Sequence, residues 1–551
     1  LDLQVNIKTD ESFHDLENRT RKKKIYAGFA GGIGKFGSNF SFLRYKNFTL
    51  WVDFGGGFPD IQFPGMSRML PNFIPAMNLP PSAIALTHAH EDHIGGIPYF
   101  YDVIPENTPI YGSRFTLELL KTKLRDFRFP LERFVYHEIK ENTSEEAGPF
   151  VLHFFFMNHS VPAALSIGVE IPEEKKKIFY SGDFKMRGDD PRVNHDDIRK
   201  FGPVDYLAMD STGSLSDGTT RAESEVLSEL EQIIHSWNGR IFISTFSSHI
   251  ERIRNIYRIT KKEGIPLGIQ GYSIKAHLTA AWEAGEIDFP VTSLRDPSPN
   301  AKKSVWLVAG CQSEPGSSMY KVAREEIEKF RLGEKDLFVY SASMIPGNEG
   351  MIYESFNHLA ARGVKVVGIH SHEFHSSGHG KKEDILMLIQ LLSPTVVFPI
   401  HGDNLHFSAM RQLLGKEIRV EIPDPSVIYS LDKDIKKETS MGNEVTLVEE
   451  KELHNDHGLY KKRMDMGVNG MMIIIIRETE RELFISIRYV GVTSQKFLQK
   501  SIDHLEETSS DIISEIINSS SVKKDKKIRD KINKLNKSVL GKTPLIEIFW
   551  L

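Results

Sequence analysis

Residues 87–96 read Thr-His-Ala-His-Glu-Asp-His-Ile-Gly-Gly, so His88, His90, Asp92 and His93 place four metal-type donors within six residues. Imidazole and carboxylate are the usual non-thiolate ligands of zinc. A tight loop can aim several of them at one point, and the chemistry this suggests is metal-assisted hydrolysis. An isolated His-x-His is more often a solvated turn. The fuller pattern His-x-His-x-Asp-His, set between an apolar run and Gly-Gly, is far more specific. The loop alone cannot serve two ions, because two zinc ions that each keep a position for water or substrate need roughly seven or eight protein bonds.

The elements that must position these donors and supply the rest recur along the chain. Residues 83–86 are apolar and read as the end of a buried strand. Apolar runs likewise precede Asp53, His159, Gly182-Asp183, Asp210-Ser211-Thr212 and His401. Function collects on loops held by a rigid scaffold. A lone histidine after a strand is ordinarily a loop residue, and Gly-Asp is ordinarily a turn; their weight comes from their order around one strong motif. The ligand set is therefore His88, His90, Asp92, His93, His159, Asp183 and His401. Asp183 is the natural bridge, since one carboxylate has two oxygens. His88, His90 and His159 with Asp183 are assigned to one zinc ion, and Asp92, His93 and His401 with Asp183 to the other. Manganese accepts the same donors. Asp53 is expected behind the ligands, orienting an imidazole.

After residue 215 strands and helices alternate, with strands expected at 240–243, 305–308 and 336–340 and helices at 221–237 and 250–259. This is the pattern of a parallel α/β sheet. Such sheets bind ligands at the carboxyl ends of their strands, where amides and hydroxyls suit phosphate. Ser247, Ser248 and His249 in one loop, and His375, Ser377, Gly378 and His379 in another, are the candidate phosphate contacts; His372 is either a further contact or solvated. The glycine-rich stretch 31–39 leads into a strand rather than a helix, so it reads as a hairpin beside the site and not as a dinucleotide fingerprint. Residues 448–463 read as a charged linker. The chain closes with strands near 471–476 and 482–490, a helix, a basic stretch and an apolar run. The basic stretch, Lys523 to Lys537, has eight Lys/Arg against two Asp. It reads by default as a solvated helix face, with an RNA-facing or partner-facing patch as the alternative.

A net charge of −5 with 26% charged residues excludes a globally basic nucleic-acid binder, so any such binding must use local patches. The single cysteine, Cys311, excludes an intrachain disulfide and a thiolate zinc cluster. Residues 1–24 are polar and read as an arm without a signal-peptide core. The apolar run 471–476 is too short to span a bilayer. A cytoplasmic protein without membrane association is expected.

Asp53, the histidine loop, His159 and Asp183 resemble the metal motifs of the metallo-β-lactamase fold. With Asp210, His379 and His401 flanking the α/β segment, the chain resembles the β-CASP nuclease branch of that fold, and most closely the bacterial ribonuclease J family. The matching stretches are residues 87–96, His159-Ser160-Val161-Pro162, 181–185, Asp210-Ser211-Thr212, 312–315, 345–349, Ser377-Gly378-His379 and 399–402, in family order over most of 25–405. The resemblance implies an αββα sandwich at 25–211 and 366–447. It also implies an inserted α/β β-CASP domain at 212–365, and beyond the linker a small α+β domain at 464–551. It implies an RNA-cleaving enzyme of RNA processing and decay with 5′-to-3′ exonuclease and endonuclease capacity. Its substrate would be single-stranded RNA, preferably with a 5′-monophosphate end. A homodimer or homotetramer and contacts with other RNA-decay proteins are implied too. In the mechanism this suggests, metal-activated hydroxide attacks the phosphodiester and leaves 5′-phosphate and 3′-hydroxyl ends. His379 acts as general acid and Asp210 orients it, while Asp92 counts among the catalytic groups as well as the ligands. Ala163 stands where an acidic residue is common, Ser313 where glycine is common, and Gly213-Ser214 where Asn-Ala is common; none removes a ligand. A lactamase-fold thioester hydrolase and a DNA-directed β-CASP nuclease are the rival enzymes, and a non-catalytic RNA-binding role is the third. The inserted domain with His379 and His401 favours a phosphodiester, and the Asp-Ser-Thr and Ile-Pro-Gly-Asn-Glu stretches favour RNA.

Overall fold

A computed structural model describes residues 24–551 apart from 58–65, 67, 73–76, 299–300, 346, 370–373, 433, 442–445, 450–451, 455–456, 480–481, 493–494, 520–522 and 541. The expected N-terminal arm, save Lys24, and His372 lie outside the described residues. The chain divides into two compact units, with the described residues 24–57 and 68–446 in the first and 447–551 in the second.

Among the described residues, the first unit holds two sheets of eight and seven strands face to face. Strand Phe150–Met157 shows why they stack. Side chains alternate across a strand, so Phe150, Leu152, Phe154 and Phe156 enter the core between the sheets. Phe155 and Met157 face the other way, onto Ile198, Phe201, Ile385 and Leu388 of outer helices. Both faces of the strand are apolar, so both must be covered, and a layered helix–sheet–sheet–helix order follows. Ala27, Leu43, Leu50 and Val52 supply the opposing side of the inner core.

The strands that precede the candidate ligands share a direction. Phe48–Val52 pairs parallel with Ala83–Ala85, and Lys176–Tyr180, Tyr206–Asp210 and Val396–Ile400 pair parallel in turn. Phe150–Met157 and Lys176–Tyr180 are both antiparallel to Ala164–Ile171, so they too run together. Within each sheet the C-terminal ends of these strands therefore open on one edge.

Between these strands lies an inserted five-stranded, wholly parallel sheet in the order Leu267–Gln270, Ser304–Val308, Arg240–Thr245, Leu337–Ser341, Lys365–Val367. The central strand ends at Thr245, and helix Ile250–Glu263 begins five residues later. This helix is pinned by a buried ion pair. Arg252, fully buried, donates to both Glu223 oxygens at 2.7 Å, to the Ser341 carbonyl at 2.8 Å and to His375 Nδ1 at 3.2 Å. One guanidinium thus ties helix Glu223–Ser236, a sheet strand and the loop before His379 together.

The second unit is a small α+β domain. Strands Leu483–Val490, Met471–Glu478 and Leu545–Trp550 form its sheet. Met472, Ile474 and Ile476 on one face pack on Ile513, Ile516, Ile528 and Ile532 of helices Gln495–Ile517 and Lys524–Leu540. The basic stretch is the outer face of the last helix, with Ile528 and Ile532 buried and Lys526, Lys527, Lys531, Lys534 and Lys537 exposed. The linker expected at 448–463 is instead structured. Strands Thr446–Glu449 and Glu452–His454 pair antiparallel, and helix His457–Asn469 follows. The short charged strands there carry too little periodicity to be read as strands.

Candidate metal centre

The motif loop is fixed by backbone hydrogen bonds from two neighbours. Asn39 N donates to the Asp92 carbonyl at 2.8 Å and Phe54 N to the His93 carbonyl at 2.8 Å, while Gly56 N reaches the Glu91 carbonyl at 3.0 Å. One helical turn, Glu91–Ile94, then sets Asp92 and His93 side by side. The expected hairpin joins Ile25–Gly31 to Phe40–Tyr45, and it delivers Asn39, whose Nδ2 donates to Asp92 Oδ2 at 3.0 Å.

All seven expected ligands converge. His88 Nε2 and His159 Nε2 lie 3.0 and 3.2 Å from His90 Nδ1. Asp183 Oδ2 is 3.5 Å from the first and 3.8 Å from the second. On the other side His401 Nε2 and His93 Nε2 are 3.0 and 3.7 Å from Asp92 Oδ2. Asp183 Oδ2 is also 3.4 Å from His93 Nε2, so this carboxylate stands between the two sets. Within each of the sets His88/His90/His159/Asp183 and Asp92/His93/His401, the donor atoms lie within 4.8 Å of one another. Imidazole nitrogens and carboxylate oxygens packed this closely fit a divalent cation.

The far side of each imidazole is held as well. Asp53 Oδ2 accepts from His93 Nδ1 at 2.7 Å and from the Thr87 hydroxyl at 2.7 Å, and Thr87 Oγ1 is 3.0 Å from His88 Nδ1. His159 Nδ1 donates to the Gly378 carbonyl at 2.7 Å. His401 Nδ1 is 2.8 Å from Thr212 Oγ1 and 3.3 Å from Asp210 Oδ1. His90 Nε2 meets Ser248 Oγ at 2.9 Å. Such contacts fix the ring orientations that turn the other nitrogen toward the donor set. Asp53 and His401 both take left-handed backbone, φ 58° and 53°. That conformation costs a non-glycine residue about 1–2 kcal/mol and tends to mark functional positions.

Charge is balanced inside the cluster. Burial pushes His88 and His159 well below the ordinary histidine range and His90 down to about 4, which keeps them in the neutral form that binds metal. For His93 and His401 burial works in the same direction, but Asp183 and the neighbouring carboxylates outweigh it and hold both imidazoles well above that range. Burial opposes ionisation of Asp183, yet His401 and His93 keep it ionised. A cation entering the second set therefore displaces protons.

His379 Nδ1 lies 2.8 Å from Asp210 Oδ2, and its ring stacks on that of His401 with centroids 5.2 Å apart. The loop before it is shaped by its own contacts. Ser377 Oγ accepts from the His379 amide at 3.0 Å. Gly378 must be glycine, because a Cβ there would fall 2.4 Å from the His159 ring. Of the remaining phosphate candidates, Ser247 is bonded to Ser273 at 2.7 Å. His375 receives Arg252, and His249 is buried 3.5 Å from the Glu223 carboxylate. These two imidazoles thus face the inserted domain's own charges.

Three departures from the resembled pattern acquire a setting. Ala163 and Ser313 both have positive φ, 54° and 57°. A Cβ on Gly213 would fall 1.9 Å from the Gly380 carbonyl, so this position admits no side chain. Sequence reasoning missed Thr87, Asn39, Thr212 and the His90 contact of Ser248. Thr87 adjoins the motif and Asn39 ends the glycine-rich turn, yet neither residue type signals metal support by itself.

The paired sheets, the inserted parallel domain and the His/Asp cluster at one edge define a metallo-β-lactamase-fold protein with a β-CASP insertion. Three family models match in succession. "Beta-lactamase superfamily domain" covers residues 58–236, "Ribonuclease J, beta-CASP domain" 238–359, and "Zn-dependent metallo-hydrolase RNA specificity domain" 365–423. The ribonuclease J of Thermus thermophilus is 31% identical over 390 residues, 68% of this chain and 68% of the relative. That of Corynebacterium glutamicum is 31% identical over 401 residues, which span 71% of this chain but only 55% of the relative. That of Helicobacter pylori is 25% identical over 516 residues, 89% of this chain and 74% of the relative. A protein of unknown function from Enterococcus faecalis shares the fold with a TM-score of 0.55 at 18% identity, over 74% of this chain and all of that one. The chain belongs to the ribonuclease J family. Among the described residues no helix is long and apolar enough to cross a membrane.

Proposed function

We propose that the chain is a metal-dependent ribonuclease of RNA processing and decay, degrading single-stranded RNA 5′-to-3′ from a monophosphate end and also cutting internally. The observation that carries this reading is the convergence of seven donors and the His379–Asp210 pair on one edge. Two zinc ions per subunit fit the donor set, and manganese fits it too. When bound, they supply the Lewis acidity that activates water near neutral pH and offsets charge on the phosphoryl oxygens.

His88, His90 and His159 with Asp183 would hold one ion, and Asp92, His93 and His401 with Asp183 the other. Thr87, Asp53 and Gly378 keep the imidazoles in register. His379 gives its Nε2 proton to the leaving 3′-oxygen, while Asp210 holds Nδ1–H and stabilises the imidazolium form. The products carry 5′-phosphate and 3′-hydroxyl ends. Ser247, Ser248 and Ser377 offer hydroxyls for a terminal phosphate, which suits sequence-tolerant binding. In this reading the subunits assemble as dimers or tetramers in the cytoplasm and meet other RNA-decay proteins.

The test is incubation with 5′-monophosphate, 5′-triphosphate and circular RNAs and with matching single-stranded DNA, with zinc or manganese supplied. Fast decay of the monophosphate RNA, slower decay of the triphosphate RNA and nicking of the circle are expected. Equal cleavage of DNA would move the chain to the DNA-directed branch, and an intact circle would remove the endonuclease half.

A further inference from the structure

Four of the five ligand imidazoles are braced by the sandwich or its immediate edge, through Thr87, Asp53, Gly378, Thr212 and Asp210. His90 differs. Its outer nitrogen, Nε2, meets Ser248 Oγ at 2.9 Å, and Ser248 belongs to the inserted domain, 158 residues further along the chain. We infer that Ser248 is a positioning residue for the metal centre, through which the seating of the inserted domain sets the aim of one metal ligand. The inference rests on the two-metal reading above.

The direction of the bond follows from the surroundings. His90 Nδ1 faces the donor set, 3.0 Å from His88 Nε2 and 3.2 Å from His159 Nε2. A ligand lone pair on Nδ1 puts the imidazole hydrogen on Nε2, so Ser248 Oγ accepts it. The serine keeps its own hydrogen to donate elsewhere.

Ser248 is also a rigid brace. It is 6% exposed and sits in the turn between strand Arg240–Thr245 and helix Ile250–Glu263, where its carbonyl accepts from Ile250 N at 2.8 Å. Four residues on, Arg252 is locked to Glu223 by two 2.7 Å hydrogen bonds. Tilting the inserted domain away from the sandwich therefore removes the acceptor from His90 before any ligand itself is disturbed. Because linkage is reciprocal, metal on the first set of ligands in turn favours the docked inserted domain.

Metal-free protein is titrated calorimetrically with Zn²⁺ and with Mn²⁺, as wild type and as Ser248→Ala, Ser248→Thr, Ser248→Cys and Ser273→Ala. In Ser248→Ala one binding event is expected to weaken about tenfold, the low end for loss of a group that braces a ligand. Ser248→Thr, which keeps a hydroxyl, restores it, and Ser273→Ala, which removes an exposed hydroxyl bonded to Ser247 rather than to His90, matches wild type. Ser248→Cys, a weaker acceptor of the same shape, weakens the same event and carries the test if the alanine variant does not fold. Amide exchange across residues 246–253 should slow on metal addition in wild type and not in Ser248→Ala. Wild-type affinity in both Ser248→Ala and Ser248→Cys overturns the inference while leaving the two-metal centre intact. A wild-type chain that binds no metal overturns both.

Discussion

In the sandwich, four strands deliver all seven candidate ligands to one edge: those ending at Ala85, Met157, Tyr180 and Ile400. In the inserted domain, five parallel strands deliver their own C-terminal ends to loops that carry hydroxyls and none of the candidate ligands, and its first two helices bury an Arg252–Glu223 pair. Both regions obey the rule that function gathers where parallel strands end. They differ in what is buried there. The sandwich buries imidazole nitrogens and carboxylate oxygens packed closely enough to hold a cation, whereas the inserted domain buries a guanidinium–carboxylate pair. The first arrangement has the donor chemistry of a metal site, and the second is a frame.

The contrast breaks most visibly at Asp183, whose Oδ2 lies 3.5 Å from His88 Nε2 and 3.4 Å from His93 Nε2 and which is proposed to serve both ligand sets. Asp183→Asn should lower RNA cleavage about 10⁴-fold, the several kcal/mol that metal polarisation supplies, and elemental analysis should find the metal lost. Retention of both would mean the sets do not depend on a common bridge. Next comes His379, whose ring nitrogen lies within 4.8 Å of donor atoms on Asp183, Asp210 and His401 but which is assigned to neither proposed ligand set. His379→Ala should cost about 10³-fold in rate with metal content unchanged, and undiminished turnover would deny it the acid role. The frame is probed by Arg252→Ala, which strands Glu223 as a buried charge. Calorimetric unfolding should show a loss of about 3–5 kcal/mol, and a small shift would show that water reaches the pair. The mildest change is Asp53→Ala. It should weaken metal binding about 10–100-fold by freeing His93; an unaltered binding isotherm would reduce Asp53 to a purely structural residue.

The donors were legible because a metal site restricts chemistry severely. Few residue types bind zinc, and His88 to His93 lie within one loop. His159, Asp183 and His401 could be added because each follows an apolar run. The long strands were legible for the same reason that they are buried: Phe150–Met157 is apolar on both faces. Strand Leu267–Gln270 and helix Tyr272–Ala284 were not read, since a four-residue run containing Gly268 has too little periodicity to stand out. The linker expected at 448–463 failed for a related cause, as its strands are only three and four residues long. His249 and His375 read as candidate phosphate contacts because histidine in a Ser-rich loop has that chemistry. The approach of His249 to Glu223 and the hydrogen bond of His375 with Arg252 depend on residues 26 and 123 positions away.

The amino-acid sequence by itself determined which side chains can hold a cation and that they stand at strand ends, because donor chemistry and hydrophobic periodicity are local properties. Tertiary structure alone decided how they are grouped and braced. It set Asp183 between two ligand sets, put Thr87 between Asp53 and His88, and brought Ser248 from the inserted domain to His90. Those contacts join residues as far as 158 positions apart. They arise only when parallel strands from two sheets and an inserted domain end on one edge, a convergence that no local pattern encodes.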